Sequence, residues 1–127
     1  MNTDRKVMIV EDSNTVRLEV KLLLKKIGVT LVEAANEIGM FNTMEEYGKC
    51  VDLILMDLTL KYENGFDLIK KIKSNEKYRE IPIIVLTEHA DVRNVLRAKE
   101  LGVDGYLIKP IQKEELISRV THYLSGS

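Results

Sequence analysis

Apolar positions along this chain fall into two periods. The runs Val7-Met8-Ile9-Val10, Leu53-Ile54-Leu55-Met56, Ile83-Ile84-Val85-Leu86 and Tyr106-Leu107-Ile108 are continuous and of strand length. They predict strands over about Lys6 to Val10, Asp52 to Asp57, from Pro82 onward, and Gly105 to Ile108. A shorter strand is predicted over Thr30 to Ala34. Pro82 stands at a strand start, where a missing N–H is tolerated.

The intervening segments carry apolar residues three and four apart. Val16, Val20, Leu23, Leu24 and Ile27 form one stripe, so a helix is predicted there, capped by Ser13 or Asn14 and stopped at Gly28. A weaker helix is predicted from about Asn36 to Tyr47, with Gly39 inside it. After the turn pair Asn64-Gly65, a third helix from Phe66 to Ser74 would bury Leu68, Ile69 and Ile72. A fourth is predicted from about Ala90 to Leu101, closed by Gly102. The last places Leu116, Ile117, Val120, Tyr123 and Leu124 on one face, and Ser125-Gly126-Ser127 reads as a frayed end. Five strands alternating with five helices predict an α/β fold, a parallel sheet covered on both faces. The third and fourth strands, apolar almost throughout, fit central positions.

A chain of 127 residues is expected to form one domain over 1–127 with a real core. Its formal net charge of −1 gives no basic field, so direct nucleic-acid binding is not expected. The single cysteine, Cys50, excludes an internal disulfide framework and suits a reducing compartment. No apolar run is long enough to cross a bilayer and the N-terminus lacks a signal-peptide pattern, so a cytoplasmic protein with no membrane contact is expected.

Each strand end carries a chemical group. Glu11-Asp12 follows the first strand, Asp57 ends the third, Thr87 ends the fourth, and Lys109-Pro110 follows the fifth. In an open parallel sheet these ends converge on one edge, where ligands bind. Three carboxylates crowded together repel, and at least one pKa should rise unless a cation intervenes. Hard oxygen ligands favour Mg2+, held by one or two carboxylates together with phosphate oxygens. Asp57 is then the candidate nucleophile, because carboxylates form aspartyl-phosphate intermediates. Lys109 would place a point charge on phosphoryl oxygens and Thr87 would donate a hydroxyl hydrogen bond. The Lys109-Pro110 bond is a candidate cis peptide that would turn the lysine into the cleft, against the general preference for trans.

These residues, with Gly65, Gly102 and Asp104-Gly105-Tyr106, resemble the response-regulator receiver domain over about Asp4 to Leu124. The resemblance implies a flavodoxin-like, doubly wound sheet in the order 2-1-3-4-5. It implies two-component phosphorelay signalling, with phosphorylation of Asp57 by a phosphohistidine on a sensor histidine kinase or phosphotransfer protein. It implies a metal site of Glu11, Asp12, Asp57 and the Thr59 carbonyl, with Thr87 and Lys109 assisting. A switch would couple Thr87 to an inward-turning Tyr106. The output face would be the fourth helix, fifth strand and fifth helix, meeting a partner protein or an output domain that this sequence lacks. Such a protein is a phosphoacceptor switch rather than a metabolic enzyme, monomeric or dimeric on phosphorylation. The donor would dock mainly on the first helix, where Leu18 and Leu22 are either docking residues or part of a broad apolar face.

Three departures qualify the match. Glu88 stands where the family usually has a small residue; it either enters the cleft and modifies phosphate access or swings into solvent. Lys61 stands where proline is common, which predicts a more mobile loop. Glu11 replaces the commoner aspartate. A haloacid-dehalogenase-type phosphatase would need a second aspartate at position 59, where Thr59 stands. A flavodoxin would need a phosphate-cradling loop after the first strand, where Glu11-Asp12 would repel phosphate. The remaining alternative is a receiver-like interaction module that works without phosphorylation. His89 and His122 have no second histidine at ligand spacing and are expected on the surface.

Overall fold

The computed structural model describes residues 5–89 and 91–125. The strands are β1 (Lys6–Val10), β2 (Thr30–Ala34), β3 (Leu53–Asp57), β4 (Ile83–Thr87) and β5 (Gly105–Ile108). They pair in parallel in the order β2-β1-β3-β4-β5. The helices are α1 (Asn14–Lys25), α2 (Glu37–Tyr47), α3 (Gly65–Lys73), α4 (Val92–Glu100) and α5 (Lys113–Ser125).

Successive strand residues point to opposite faces, so each strand feeds two cores. Val7, Ile9, Leu53, Leu55, Ile84 and Leu86 pack with Val20 and Leu24 of α1 and Leu116 and Val120 of α5. Met8, Val10, Ile54, Met56, Ile83 and Val85 pack with Met40 and Met44 of α2, with Leu68, Ile69 and Ile72 of α3, and with Ala98 of α4. Burial on both faces explains why β3 and β4 are apolar throughout. The strand order reverses beside β1, so β1 and β3 are neighbours at the switch point, with their C-terminal ends opening on one crevice.

Side-chain caps set the helix starts. Ser13 accepts from Val16 N–H, Asn36 from Gly39 N–H, Asn64 from Phe66 N–H and Asp91 from Asn94 N–H. Gly28 and Gly102, after α1 and α4, take φ of 74° and 86°, a left-handed conformation that favours glycine.

Several local expectations need correction. Helix α1 ends at Lys25, so Ile27 lies beyond the stripe and is 37% exposed. A 3-10 turn, Gly48–Cys50, separates α2 from β3. Helix α3 begins at Gly65, one residue earlier than expected. Helix α5 continues through Ser125. The expected start of α4 at Ala90, the limit at Asp4, and Gly126-Ser127 lie outside the described residues.

Candidate functional site

The crevice gathers Glu11, Asp12, Asp57 and Lys109, with Thr87 joined to Lys109 through the backbone. Glu11 prolongs the β1–β2 ladder through its N–H to Ala34 O at 2.9 Å. Glu11, Asp57 and Thr87 are buried, each 1% exposed, whereas Asp12 is exposed. Glu11, Asp12 and Asp57 each bring a carboxylate oxygen within 4.8 Å of the others. Lys109 Nζ lies 2.7 Å from Glu11 Oε1 and 3.4 Å from Asp57 Oδ1. The Lys109-Pro110 bond is cis, and Lys109 N–H donates to Thr87 O at 2.7 Å.

The loop after β3 folds back onto the acids. Thr59 donates to Asp57 Oδ1 from its N–H at 3.0 Å and from its hydroxyl at 3.2 Å. Lys61 N–H donates to Asp12 Oδ2 at 2.7 Å. Thr59 and Asn64 form an isolated antiparallel bridge, closed by Gly65 N–H donating to Leu58 O at 3.2 Å. Glu63 Oε1 accepts from Glu37 N–H at the start of α2, at 2.8 Å. The loop expected to be mobile at Lys61 is therefore tied down on both sides of that residue.

Burial raises the pKa of Glu11 and the Asp57 charge adds to it, outweighing the hydrogen bond from Lys109. Burial alone would lower Lys109, but its hydrogen bond to Glu11 and the Asp57 charge carry its pKa above the usual lysine value. The two shifts agree physically: one ammonium serves two buried carboxylates, so it stays charged while Glu11 is only partly compensated. Glu11 Oε1 has the Lys109 ammonium at 2.7 Å and no hydrogen-bond partner besides. A buried, under-satisfied oxygen beside two further carboxylates suits a hard divalent cation.

Thr87 and Tyr106 meet at one acceptor. The Thr87 hydroxyl donates to His89 O at 3.2 Å and accepts from His89 N–H at 3.0 Å. The Tyr106 hydroxyl donates to the same carbonyl at 2.9 Å. Tyr106 is half-buried, and burial, with the Asp91 charge, raises its pKa.

Glu88 is exposed and lines a cleft of about 450 Å³ with Val16, Glu19, Lys109, Pro110 and Ile111. Leu18 and Leu22 on α1 are 55% and 53% exposed. His89, His122 and Cys50 are exposed. Sequence reasoning missed Arg17, whose Nη1 donates to Glu11 O at 2.7 Å while its Nε pairs with Glu33 Oε1 at 3.0 Å. It anchors the β1–α1 loop to β2, and nothing in the hydropathy pattern distinguishes it from other polar helix residues. Among the described residues, no helix is long and apolar enough to cross a membrane.

A sequence profile described as the response regulator receiver domain matches residues 7–121. The chain is 33% identical to the phosphate regulon transcriptional regulatory protein PhoB of Escherichia coli, over 91% of this chain and 50% of that protein. It is 30% identical to the chemotaxis protein CheY1 of Helicobacter pylori, over 87% of this chain and 90% of that protein. The chain therefore spans half or less of some relatives, down to 15%, and nearly all of others. Its fold superimposes with a TM-score of 0.84 on the receiver domain of the sensor histidine kinase PA1611 of Pseudomonas aeruginosa, at 25% identity over 97% of this chain and 99% of that one. That crystal structure has a magnesium ion coordinated in its active-site cleft.

Proposed function

The chain belongs to the response regulator receiver family of two-component signalling, and from that premise we propose that it is a Mg2+-dependent switch phosphorylated on Asp57. The observation that carries this reading is the buried Asp57 carboxylate, with Lys109 Nζ at 3.4 Å and the Glu11 and Asp12 carboxylates grouped around it. Glu11, Asp12 and Asp57, with the Thr59 carbonyl, would hold the cation. Bound Mg2+ would supply positive charge to phosphoryl oxygens that otherwise meet three carboxylates.

The protein's own groups divide the remaining work. Asp57 Oδ1 already receives Thr59 and faces Lys109, which leaves Oδ2 as the attacking oxygen. As Oδ2 bonds to phosphorus, the phosphorus–nitrogen bond of the donor phosphohistidine breaks, and its electron pair returns to the imidazole. Lys109 steadies the transferring oxygens, and the Thr87 hydroxyl leaves His89 O to donate to the phosphoryl group. Tyr106 then keeps that carbonyl alone, so one bond exchange links the cleft to β5. Water attack on phosphorus later breaks the oxygen–phosphorus bond, restoring the carboxylate and releasing phosphate.

The donor would be a sensor histidine kinase or phosphotransfer protein seated on α1, where Leu18 and Leu22 stand exposed. The output face would be α4, β5 and α5, where Val92, Leu96 and Ile108 are 73%, 55% and 49% exposed. We place the protein in the cytoplasm, as a monomer or as a dimer formed on phosphorylation.

Intact-protein mass after incubation with acetyl phosphate and Mg2+ tests the reading. A gain of one phosphoryl group is expected, absent in Asp57→Ala and absent without Mg2+. No gain in the wild type, in Glu88→Ala or with a phosphohistidine donor would favour the phosphorylation-independent module instead.

A further inference from the structure

We infer that the backbone amide of Lys61 is a positioning group for the cation site: it holds Asp12 Oδ2 so that the other Asp12 oxygen faces the cleft. The inference rests on the Mg2+-dependent reading above. Its basis is the hydrogen bond from Lys61 N–H to Asp12 Oδ2 at 2.7 Å, between residues 49 apart in sequence. Asp12 is the exposed member of the acidic group, so burial does not restrict its rotamers as it restricts Glu11 and Asp57. The Lys61 N–H is an outside donor that favours one orientation against the repulsion of the other two.

The amide is itself held in place. On one side Thr59 is pinned to Asp57 Oδ1 and bridged to Asn64. On the other, Glu63 is pinned to Glu37 N–H at 2.8 Å. Lys61 therefore sits in the middle of a strap whose two sides are fixed to β3 and α2. Its side chain points elsewhere, with Nζ 5.4 Å from the centre of the Tyr62 ring. The contact belongs to the peptide N–H, which every residue except proline possesses. Partners that orient a metal ligand typically change metal affinity by about 10–100-fold when removed. Asp12 is solvent-exposed, so the lower end applies.

The test compares Mg2+ affinity by isothermal titration calorimetry in the unphosphorylated wild type, Lys61→Pro and Lys61→Ala. Lys61→Pro, which lacks the N–H, should bind Mg2+ roughly tenfold more weakly. Lys61→Ala, which keeps it, should bind like the wild type. Equal affinity in all three, tighter binding by Lys61→Pro, or equal weakening in both variants would overturn the inference. A wild type that binds no Mg2+ would overturn the functional reading as well, and so is distinguishable from these results. Should Lys61→Pro fail to fold, amide hydrogen exchange without metal decides. Lys61 N–H should exchange roughly tenfold more slowly in the wild type than in Asp12→Ala; equal exchange would refute the positioning role.

Discussion

At the scale of single residues, the least ordinary feature is the acid that follows Thr87. Glu88 is exposed, yet it shares a cleft wall with Lys109 and with a second acid, Glu19. Both negative charges would oppose an anionic phosphodonor drawn to Lys109. Exposure and solvent make the penalty small and dependent on salt. Replacing Glu88 with Ala should speed labelling by acetyl phosphate roughly two- to fivefold at low ionic strength, with the difference shrinking as salt is added. Equal rates for the two proteins in low salt would show that Glu88 does not influence access. Arg17 matters in another way, because it fixes the backbone carbonyl of Glu11 rather than any reacting group.

At the scale of elements, the junction of β3 with α3 controls the site. Helix α3 starts against the end of β3, and a Cβ on Gly65 would lie 2.4 Å from Asp57 O and 2.7 Å from Leu58 Cα. Both are backbone atoms, so nothing flexible can yield. Gly65→Ala must push α3 away or twist the strand end that carries Asp57. Overpacking of this kind costs about 1–3 kcal/mol, which urea denaturation would read as a lower midpoint with an unchanged slope. A midpoint equal to that of the wild type would mean the junction relaxes freely. Helix α4 is the opposite case: it buries only Ala98 and leaves Val92, Val95 and Leu96 outward. It is held by few apolar contacts, which puts it at the low-stability end of the fold.

At the scale of the whole molecule, the ionisation of buried Glu11 works against folding. Burial and Asp57 hold the Glu11 pKa above its ordinary value, so the folded protein binds a proton that the unfolded chain releases. The sign follows: this contribution is fully present below the ordinary carboxylate pKa and is lost as pH rises through the raised one. Metal-free stability should therefore fall with rising pH over that window, and Glu11→Gln, which cannot ionise, should remove that part of the slope. Urea midpoints in chelator between pH 4 and 8 would check it; identical slopes in the two proteins would refute it. Mg2+ should restore stability at neutral pH, by about 2.7 kcal/mol at a hundred times its dissociation constant.

How much of this was legible in the sequence follows from how local each signal is. Strand limits at Lys6–Val10, Thr30–Ala34 and Gly105–Ile108 emerged as expected, because periodicity and caps act over a few residues. Parallel alternation brings the strand ends together, so Glu11, Asp12, Asp57, Thr87 and Lys109 are identifiable as neighbours from the sequence. What periodicity does not carry is the path of the loops. The early start of α3 depends on the approach of Gly65 to Asp57, and the exposure of Ile27 on where α1 stops. The sharing of Lys109 between Glu11 and Asp57 depends on distances across three strands. The Lys61 contact is the clearest example, since a backbone N–H leaves no mark on residue type. Residue chemistry and local period thus determined the parallel α/β class and the group of residues at the strand ends, and the family resemblance supplied the strand order. The tertiary structure alone decided which atoms of that site hold one another in place.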